Sequence, residues 1–535
     1  MRRLLSIGFL IISIGFLFFF ISLPQDQLQF SDLLVEENEY RQILSRRTKT
    51  NTDIISNLCF NDYPLFYDEL KSRWYYSVDP QKPILDPTVS FLSSGEKIHL
   101  AFPEDITIGN SIPFAVYTES EYRLYELAIS TLPLLHIECE DSDYLTGIEL
   151  SDVHKISFSM FDNRSNSLYP FVKSEGSIHI RGNGSRFYDK KAFRIHLIQD
   201  KGTGNNIQEN QIPLLGLRKD GDWLLYAAYN DQEKIREVFS SKLWLESCGS
   251  DNPFGINNGN EYRFIELFWN QQYCGLYALG YPIDAKQVGI RPDITGHYED
   301  FLFKQKHWGP KADGPDPEYD GLILQFDAEQ SDLNNGIRLT KLFFNMLENG
   351  ATNGLWNNDE KNALDIWLFL KLIQATDTVN TDGKMRNMFL TIRNSERGRI
   401  FLFTPYDMDI SWGNHINPYN RITYPYYYDA NDNSVEMTVN PVSILRQKDP
   451  DIIKLIQNRY IQLRAGGWSE AAIDTLIEGY EQDIFDSGAF VRDMERWPEG
   501  SYEEPSLGLS VFREYVHNRL RSMDEYIRIL STDTE

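Results

Sequence analysis

The sequence predicts an α+β fold, in which β-strands dominate the first two thirds of the chain and helices the last third. Apolar and polar residues alternate in ISFSMFDN (156–163) and in AFRIHL (192–197), as they do in half-buried strands. Helical periodicity runs through the C-terminal segments, for example DIIKLIQNRYIQLRAG (451–466). At 535 residues the chain is longer than one ordinary hydrophobic core accommodates, so we expect two or three packed units.

Composition narrows the class of protein. A hydrophobic fraction of 41% and an aromatic fraction of 13% are typical of a globular chain with ample core material. The net charge of −26 argues against a nucleic-acid partner, because neutralising phosphates requires a basic surface. If the protein binds a polyphosphate, its Lys and Arg side chains must be gathered locally against this overall charge.

The N-terminus predicts an uncleaved membrane anchor. After Arg2 and Arg3, the segment Leu4–Leu23 has no charge and, at about twenty residues, is long enough to span a bilayer. A cleaved signal peptide is the alternative, but no small-residue cleavage pattern follows the segment. Because the basic residues precede the span, we expect a single-pass protein with a cytoplasmic N-terminus and an extracytoplasmic body.

The region between the anchor and the main body is predicted from weaker patterns. Residues 25–82 are polar and acidic with helical stretches, which favours a stalk or linker; a helix packed on the main domain is the alternative. Residues 83–130 alternate around turn signals and predict a small β-rich segment. The four cysteines, at positions 59, 139, 248 and 274, allow up to two disulfides or free buried thiols, and their spacing indicates no metal site.

A basic hairpin begins the main body. SIHIRG and AFRIHL read as two strands around a loop that contains Arg181, Gly182, Gly184, Lys190 and Lys191. Exposed backbone N–H groups and nearby cations allow such loops to cover phosphates. A solvated hairpin with a basic tip is the alternative.

The next element is a strand followed by a helix. WLLYAAY stops at Asn230 and Asp231, a helix N-cap signal, and helical periodicity follows from Ile235 to Leu245. Arg236 lies in the early turns of this helix, where a cation is unfavourable, so an anionic partner or a surface salt bridge is expected. A second hairpin, ELFWNQQYCGLYALGYPID, turns at residues 270–272.

Two acidic clusters joined by a predicted β-hairpin lie between Asn380 and Gly413. Asp382 is followed by Asn387, and Asp407 and Asp409 follow the apolar strand IFLF (400–403). Oxygen ligands of this kind suit a hard divalent cation, and an Asp, an Asn five residues later and an Asp after a further strand is the layout of protein kinases. Asx turns around Gly383 and after the strand are the alternative.

Taken in order, these motifs resemble the spore-coat-protein-H-type (CotH) family of atypical protein kinases. The matching pieces are LPLLHIE, IRGNGSRFYDKKAFRIHL, DWLLYAAYNDQEKIRE, ELFWNQQYCGLYALGYPID, NTDGKMRN and FTPYDMDISWG, followed by a helical tail with NRYIQLR. The resemblance covers roughly residues 130 to 530. It implies an atypical protein-kinase-like core with mixed and antiparallel sheets and a helical C-terminal region.

The resemblance also implies roles for individual residues. Asp382 would be the catalytic residue that activates the acceptor hydroxyl, and Asn387, Asp407 and Asp409 would hold Mg²⁺ or Mn²⁺. The cations expected at the phosphates of ATP are Arg181, Lys190, Lys191 and Lys304. A family signature matches Asn230, Asp231 and Arg236, whose role we expect to be architectural or close to the phosphates.

One departure from the family pattern bears on activity. The family hairpin carries a Glu shortly after Gly-Leu-Tyr, whereas this chain has Tyr281 at that position. If that Glu orients the nucleotide lysine, the pair is missing here, or Asp284 or Glu266 replaces it. The loop RGNG in place of RGRGN, and Tyr406 in place of a tryptophan, are milder changes.

The sequence thus predicts five segments and one function. The segments are the transmembrane anchor (1–24), the stalk (25–82), the small β-rich segment (83–130), the kinase-like core (131–415) and the mainly helical part of that core (416–535). The expected function is phosphoryl transfer from ATP to hydroxyls of a surface, envelope or spore-coat protein, by a protein attached to the lipid bilayer. A non-catalytic surface protein with the same fold is the alternative, and a metal-dependent hydrolase is disfavoured because no histidine cluster accompanies the carboxylates.

Overall fold

A computed structural model describes most of the chain. The described residues are 28–82, 86–93, 97–140, 152–182, 184–200, 207–308, 321–348, 356–358, 360–379, 385–396, 398–414, 450–498, 500 and 508–530. The predicted anchor lies outside them, as does Asp382. Within the described ranges, no helix combines the length and the apolar character needed to cross a bilayer.

The chain divides into two compact units, and the smaller one is built mainly from β-strands. It comprises the described residues up to Leu134, with Asn163–Ser165 and Gln271–Tyr273. Its one α-helix among the described residues is α1 (Glu37–Ser45), and its strands are β1 (Leu28–Gln29), β2 (Thr48–Lys49), β3 (Ile55–Phe60), β4 (Tyr63–Pro64), β5 (Phe66–Asp68), β6 (Arg73–Ser77), β7 (Thr88–Ser93), β8 (His99–Ala101), β9 (Ser111–Tyr117) and β10 (Glu121–Ser130). One sheet has the order β1-β7-β3-β4; the other has the order β5-β6-β10-β9-β8, with β2 paired to β10.

The segment predicted as a polar stalk contains more β-structure than its sequence suggested. Strands β1–β6 and helix α1 all fall within residues 25–82, where the sequence indicated only helical stretches. These strands are two to six residues long, too short for alternation to be visible, and β6 is buried on both faces. Helix α1 packs through Tyr40 against Ala101 and Ala115 of the same unit. The predicted segment boundaries stay predictions.

The larger unit contains the remaining elements, except for the first residues of β11 and β20, and has an extensive hydrophobic core. Its strands are β11 (Leu134–Glu138), β12 (His154–Phe161), β13 (Phe171–Ile180), β14 (Phe193–Asp200), β15 (Ile207–Glu209), β16 (Ile212–Pro213), β17 (Lys219–Asp220), β18 (Asp222–Tyr226), β19 (Tyr262–Trp269), β20 (Gln272–Gly280), β21 (Phe301–Gln305), β22 (Leu322–Leu324), β23 (Trp356–Asn358), β24 (Met388–Ser395) and β25 (Gly398–Pro405). Its helices are α2 (Arg236–Trp244), α3 (Gln330–Glu348), α4 (Glu360–Ile373), α5 (Pro450–Ala465), α6 (Glu470–Glu481), α7 (Ala489–Arg496) and α8 (Ser510–Ile529). The α+β fold class is confirmed.

Two sheets organise this unit. The larger has the order β13-β12-β11-β19-β20-β18-β14-β15, and because β13 also pairs with β14, seven of its strands close into a ring. Side chains such as Phe193, Trp223 and Trp269 form the hydrophobic core inside this ring of strands. The smaller sheet has the order β22-β21-β24-β25-β23, and its hairpin β24–β25 is the one predicted between the two acidic clusters.

The predicted hairpins and helices agree well with the observed elements where the pattern is local. Strands β19 and β20 flank the turn expected near Asn270, and α2 falls within the predicted range 235–245. The apolar segment expected as a buried helix is α4, and the C-terminal tail contains helices α5–α8. All four cysteines carry free thiols, three of them buried.

A buried ion pair connects the basic hairpin to the C-terminal helices. Asp493 of α7 accepts hydrogen bonds from Lys190 Nζ at 2.7 Å and from the backbone N–H of Leu276 in β20 at 2.9 Å. Both members of the ion pair are essentially inaccessible to solvent. Gly275 has φ of +106°, and a Cβ there would lie 2.2 Å from Asp493 Oδ1, so only glycine allows this approach.

Replacing Asp493 with alanine is expected to cost about 3 to 5 kcal/mol of unfolding free energy, because it leaves the Lys190 ammonium buried without its counter-ion. Urea denaturation of the Asp493→Ala variant would measure this loss. Asp486→Ala, an exposed position seven residues away, should behave like the unmodified protein. Equal midpoints for the two variants would contradict a stabilising role for the pair.

Candidate active site

The open end of hairpin β24–β25 brings two of the predicted metal ligands together. Asn387 immediately precedes β24, and Asp407 lies two residues after β25. The Tyr406 N–H donates to the Asn387 carbonyl at 3.1 Å, so the two chain segments remain adjacent beyond the last strand pair. The antiparallel return of the chain is therefore the reason that residues twenty positions apart meet.

Backbone conformation at this end of the hairpin is unusual. Asn387 and Asp407 both have left-handed backbone angles, with φ of +53° and +59°. Such a conformation costs of order 1 kcal/mol or more for a residue other than glycine, although Asn and Asp tolerate it best. Residues of this kind persist where the surrounding structure fixes them, and they cluster at functional sites.

The side chain of Asn387 is oriented by Asp377. Asn387 Nδ2 donates to Asp377 Oδ2 at 2.9 Å, and Asp377 also forms an ion pair with Arg386. Fixing the amide nitrogen in this way leaves Asn387 Oδ1 as the atom that could ligate a cation. Asp377 was not singled out from the sequence, because nothing in its local pattern distinguishes it from other surface carboxylates.

The two aspartates after β25 have different surroundings. Asp407 is exposed, whereas Asp409 is partly buried and accepts a hydrogen bond from Asn230 Nδ2 at 3.1 Å. Burial, followed by the nearby Asp407 and Glu237 carboxylates, raises the pKa of Asp409 well above its ordinary value. Mutual repulsion of this kind is relieved when a divalent cation binds between carboxylates.

Glu237 is a member of this acidic group that the sequence did not indicate. It lies in the first turn of α2, is 2% exposed, and accepts hydrogen bonds from Tyr262 Oη at 3.1 Å and from the Met408 N–H. Burial, with a contribution from Asp407, raises the pKa of Glu237 to about 7. Its proximity to Met408 arises from a contact 171 residues apart in the chain, which no local pattern reveals.

Two cations flank Tyr406, next to the carboxylates. The Arg181 guanidinium donates to Tyr406 Oη, and Lys304 Nζ lies 4.0 Å from the centre of the Tyr406 ring. In the part of the chain that the structure describes, neither Arg181 nor Lys304 forms an ion pair with a carboxylate. Positive charge is therefore available here for an anionic ligand, despite the net charge of −26.

The remaining predicted phosphate ligands are engaged in other contacts. Lys190 is buried in its pair with Asp493, and burial lowers its pKa to about 8. Lys191 Nζ donates to the backbone carbonyls of Arg186, at 3.0 Å, and Tyr188. Both contacts hold the basic loop in shape, and of the predicted phosphate ligands in this hairpin, Arg181 is the one that reaches the Tyr406 segment.

The family signature around Arg236 is a buried charge cluster. The Arg236 guanidinium contacts the carboxylates of Asp231 and Glu233, and Asp231 Oδ2 also accepts the Arg236 N–H at 2.7 Å. The anionic partner expected from the position of Arg236 at a helix N-terminus is thus internal to the protein. It fixes the turn that carries Asn230, the residue bonded to Asp409.

Tyr281 and Asp284 contact the same arginine, whereas Glu266 pairs with a different one. The Tyr281 ring is buried against the Arg218 guanidinium, 4.4 Å from the ring centre. Glu266 is buried in a two-point ion pair with Arg492, and Asp284 pairs with Arg218 at 2.8 Å. Both substitutes are thus paired with arginines, Asp284 with the one that also packs on Tyr281, whereas Glu237 contacts the Tyr406–Asp409 segment directly.

The chemistry available at this site follows from these groups. Carboxylate and amide oxygens of Asp407, Asp409 and Asn387 suit Mg²⁺ or Mn²⁺, which prefer oxygen ligands. Arg181 and Lys304 can neutralise the phosphates of a nucleotide bound beside the cation. The donor set fits a metal–polyphosphate complex.

Comparison with known families agrees with the motifs. A family model described as CotH kinase protein matches residues 178–523, which is well over half of the chain. The match begins in β13, just before Arg181, and ends within α8. No curated protein matches the chain.

The raised pKa of Glu237 predicts a pH-dependent stability in the metal-free protein. Its folded-state pKa of about 7 lies above the ordinary value of 4.5, so folding favours the protonated acid, and this stability is lost as pH rises from 4.5 through 7. Glu237→Gln cannot ionise and should be more stable than the unmodified protein by about 3 kcal/mol at pH 8, with little difference at pH 4.5.

Urea denaturation in the presence of a chelator, at both pH values, measures this difference. Glu246→Gln, exposed just after the same helix, serves as the control and should show no pH-dependent difference. A Glu237→Gln effect of equal size at pH 4.5 and pH 8 would show that the carboxyl does not titrate in this range.

Proposed function

The chain belongs to the CotH kinase family, and from this premise we propose that it is an ATP- and divalent-metal-dependent protein kinase. The acceptor would be a hydroxyl group on a protein of the cell surface, envelope or spore coat. The observation that carries the proposal is that two cations, Arg181 and Lys304, both contact Tyr406. Tyr406 directly precedes the acidic segment Asp407–Asp409 in the chain.

In this proposal, Asn387, Asp407 and Asp409 hold Mg²⁺ or Mn²⁺, which neutralises charge on the phosphates during transfer. Arg181 and Lys304 bind the phosphate oxygens and orient the terminal phosphoryl group. Asp382, which lies outside the described residues, would accept the proton of the attacking hydroxyl. Such a reaction depends mainly on positioning and charge neutralisation, which fixed side chains on a rigid hairpin supply.

Glu237 takes a positioning role in this scheme. Its carboxylate accepts the Met408 N–H, between the two aspartates, and thereby fixes the direction of both. The contact joins helix α2 to the metal-binding segment.

We further propose that the Leu4–Leu23 segment anchors the protein in a membrane, with the body outside the cytoplasm. The support is the uncharged length of the segment and the basic residues before it. A forespore compartment or a phosphoryl donor other than ATP would reconcile this topology with the scarcity of ATP outside cells.

A second candidate is a non-catalytic surface protein that keeps the fold to bind a partner. The observation in its favour is Tyr281, whose buried ring occupies the position of the family Glu and packs on Arg218. The two candidates differ in whether phosphate is transferred, so one assay separates them.

The first experiment measures transfer of radiolabel from γ-labelled ATP to the protein itself and to generic acceptors, with Mg²⁺ or Mn²⁺. Asp407→Asn should lower the rate of phosphate transfer by at least about a hundredfold, because it removes the negative charge of a metal ligand. Asp486→Asn changes an exposed aspartate away from the site and should retain full transfer. No transfer by the unmodified protein, with no stabilisation by ATP and metal in a thermal-shift assay, would favour the non-catalytic candidate.

A second experiment isolates the phosphate-binding cations. Lys304→Met should raise the dissociation constant for the ATP–metal complex by about tenfold or more, because one charge-assisted contact is worth of order 1.5 to 3 kcal/mol. Lys306→Met, two residues along the chain and exposed to solvent, is the matched control. Calorimetric titration of both variants with the ATP–metal complex measures the two dissociation constants. Similar weakening of binding in both variants would indicate a general electrostatic effect instead of a contact made by Lys304.

A further inference from the structure

Three side chains that the proposed kinase site does not use converge on the larger sheet. They are His196 in β14, Glu209 in β15 and Asp222 in β18. Each offers one ligand atom, and these three atoms lie within 4.8 Å of one another. All three side chains are partly buried, neither freely exposed nor enclosed in the core.

The register of the strands is the reason for this convergence. His196 and Asp222 are directly opposite each other across β14 and β18. Glu209 is opposite Ile198 across β14 and β15, and because alternate residues share a face, its side chain emerges on the same side as His196. The three residues therefore sit on a scaffold of paired strands.

A glycine makes room for the third member of the group. A Cβ at position 221 would lie 2.3 Å from Glu209 Cγ, so the Glu209 side chain lies directly over the Gly221 backbone. Any other residue at 221 would push Glu209 away from Asp222, the residue that follows Gly221 in the chain. The cluster of His196, Glu209 and Asp222 therefore also depends on the glycine at position 221.

We propose that His196, Glu209 and Asp222 form a site for a transition-metal dication of the Zn²⁺ class. Imidazole and carboxylate groups are both zinc ligands, and water can complete the coordination around three protein ligands. Bonds of about 2.1 Å place neighbouring ligand atoms about 3.0 to 3.4 Å apart. His196 Nδ1 and Asp222 Oδ1 are 3.0 Å apart, so these two could bind one ion with little rearrangement.

Two basic side chains hold the carboxylates in the absence of metal. Lys286 Nζ lies 3.0 Å from Glu209 Oε1 and 2.7 Å from Asp220 Oδ1. Arg194 contacts Asp222 through Oδ2 at 3.3 Å, which leaves Oδ1 facing His196. When a metal binds, Lys286 keeps Asp220 as its partner and Arg194 can stay on Oδ2.

The position of Lys286 predicts how the metal affinity of the site responds to a substitution. Lys286 competes with the metal for Glu209, so removing its charge should strengthen metal binding. In an ion-pair cluster that binds no metal, the same substitution only removes the counter-ion of Glu209, because Asp220 keeps Arg218 as its partner. The site is independent of phosphoryl transfer and is testable in a protein whose kinase site is disabled.

The experiment uses the full chain, stripped of metal, with the Asp407→Asn substitution and excess Mg²⁺ to suppress binding at the kinase site. Co²⁺ serves as the spectroscopic probe, and Zn²⁺ affinity is measured by its competition with Co²⁺. We expect stoichiometric binding of one ion. His196→Gln should weaken it by at least about tenfold, since even loss of a partner outside the ligand set costs that much.

His179→Gln is the matched control, because His179 lies on the neighbouring strand β13, opposite Arg194. It should bind the metal as the parent does. Lys286→Gln should bind several-fold more tightly than the parent. Absence of binding at micromolar metal, equal affinities of the His196→Gln and His179→Gln variants, or weaker binding by Lys286→Gln would each overturn the proposal.

Discussion

The hydrogen bond from the Met408 N–H to the Glu237 carboxylate is the contact on which the candidate active site depends most. Asp407 and Asp409 flank Met408 in the chain, so fixing this one peptide fixes the origin of both side chains. Glu237 is held in turn by Tyr262 on strand β19. Helix α2, the larger sheet and the end of hairpin β24–β25 are thereby joined at a single carboxylate.

The candidate site contains two cations although the protein as a whole is strongly acidic. The chain carries 78 acidic and 52 basic residues, yet Arg181 and Lys304 both contact Tyr406 without an ion-pair partner among the described residues. Other basic side chains of the larger unit, such as Lys190, Arg236 and Arg492, are paired with buried carboxylates. Pairing these cations internally leaves Arg181 and Lys304 to supply the local positive field.

Sequence patterns predicted the helices and hairpins whose formation depends on residues close together in the chain. The hairpin that carries Asn387 and Asp407 follows from alternation and an apolar strand, and α2 from periodicity. The N-cap signal at Asn230 and Asp231 was wrong, because the N-cap residue of α2 is Ile235 and has no side-chain cap. Long-range partners could not be predicted in this way: Lys190 is expected at a phosphate on the basis of its basic loop, but Asp493, its partner in the structure, is 303 residues away. Glu237 escaped notice for the same reason, since its importance lies in its bond to a distant peptide. Short strands such as β6, buried on both faces, gave no alternation to read.

The ion pair between Lys190 and Asp493 also bears on how the protein is made. During synthesis, every strand of the larger sheet emerges before α7, the helix that carries the counter-ion of Lys190. Without Asp493, a buried Lys190 ammonium would keep the Leu276 carbonyl as an acceptor but would lack its counter-ion. A chain that ends before α7 lacks this counter-ion, so we expect its ring of strands to be less stable than that of a chain that contains α7.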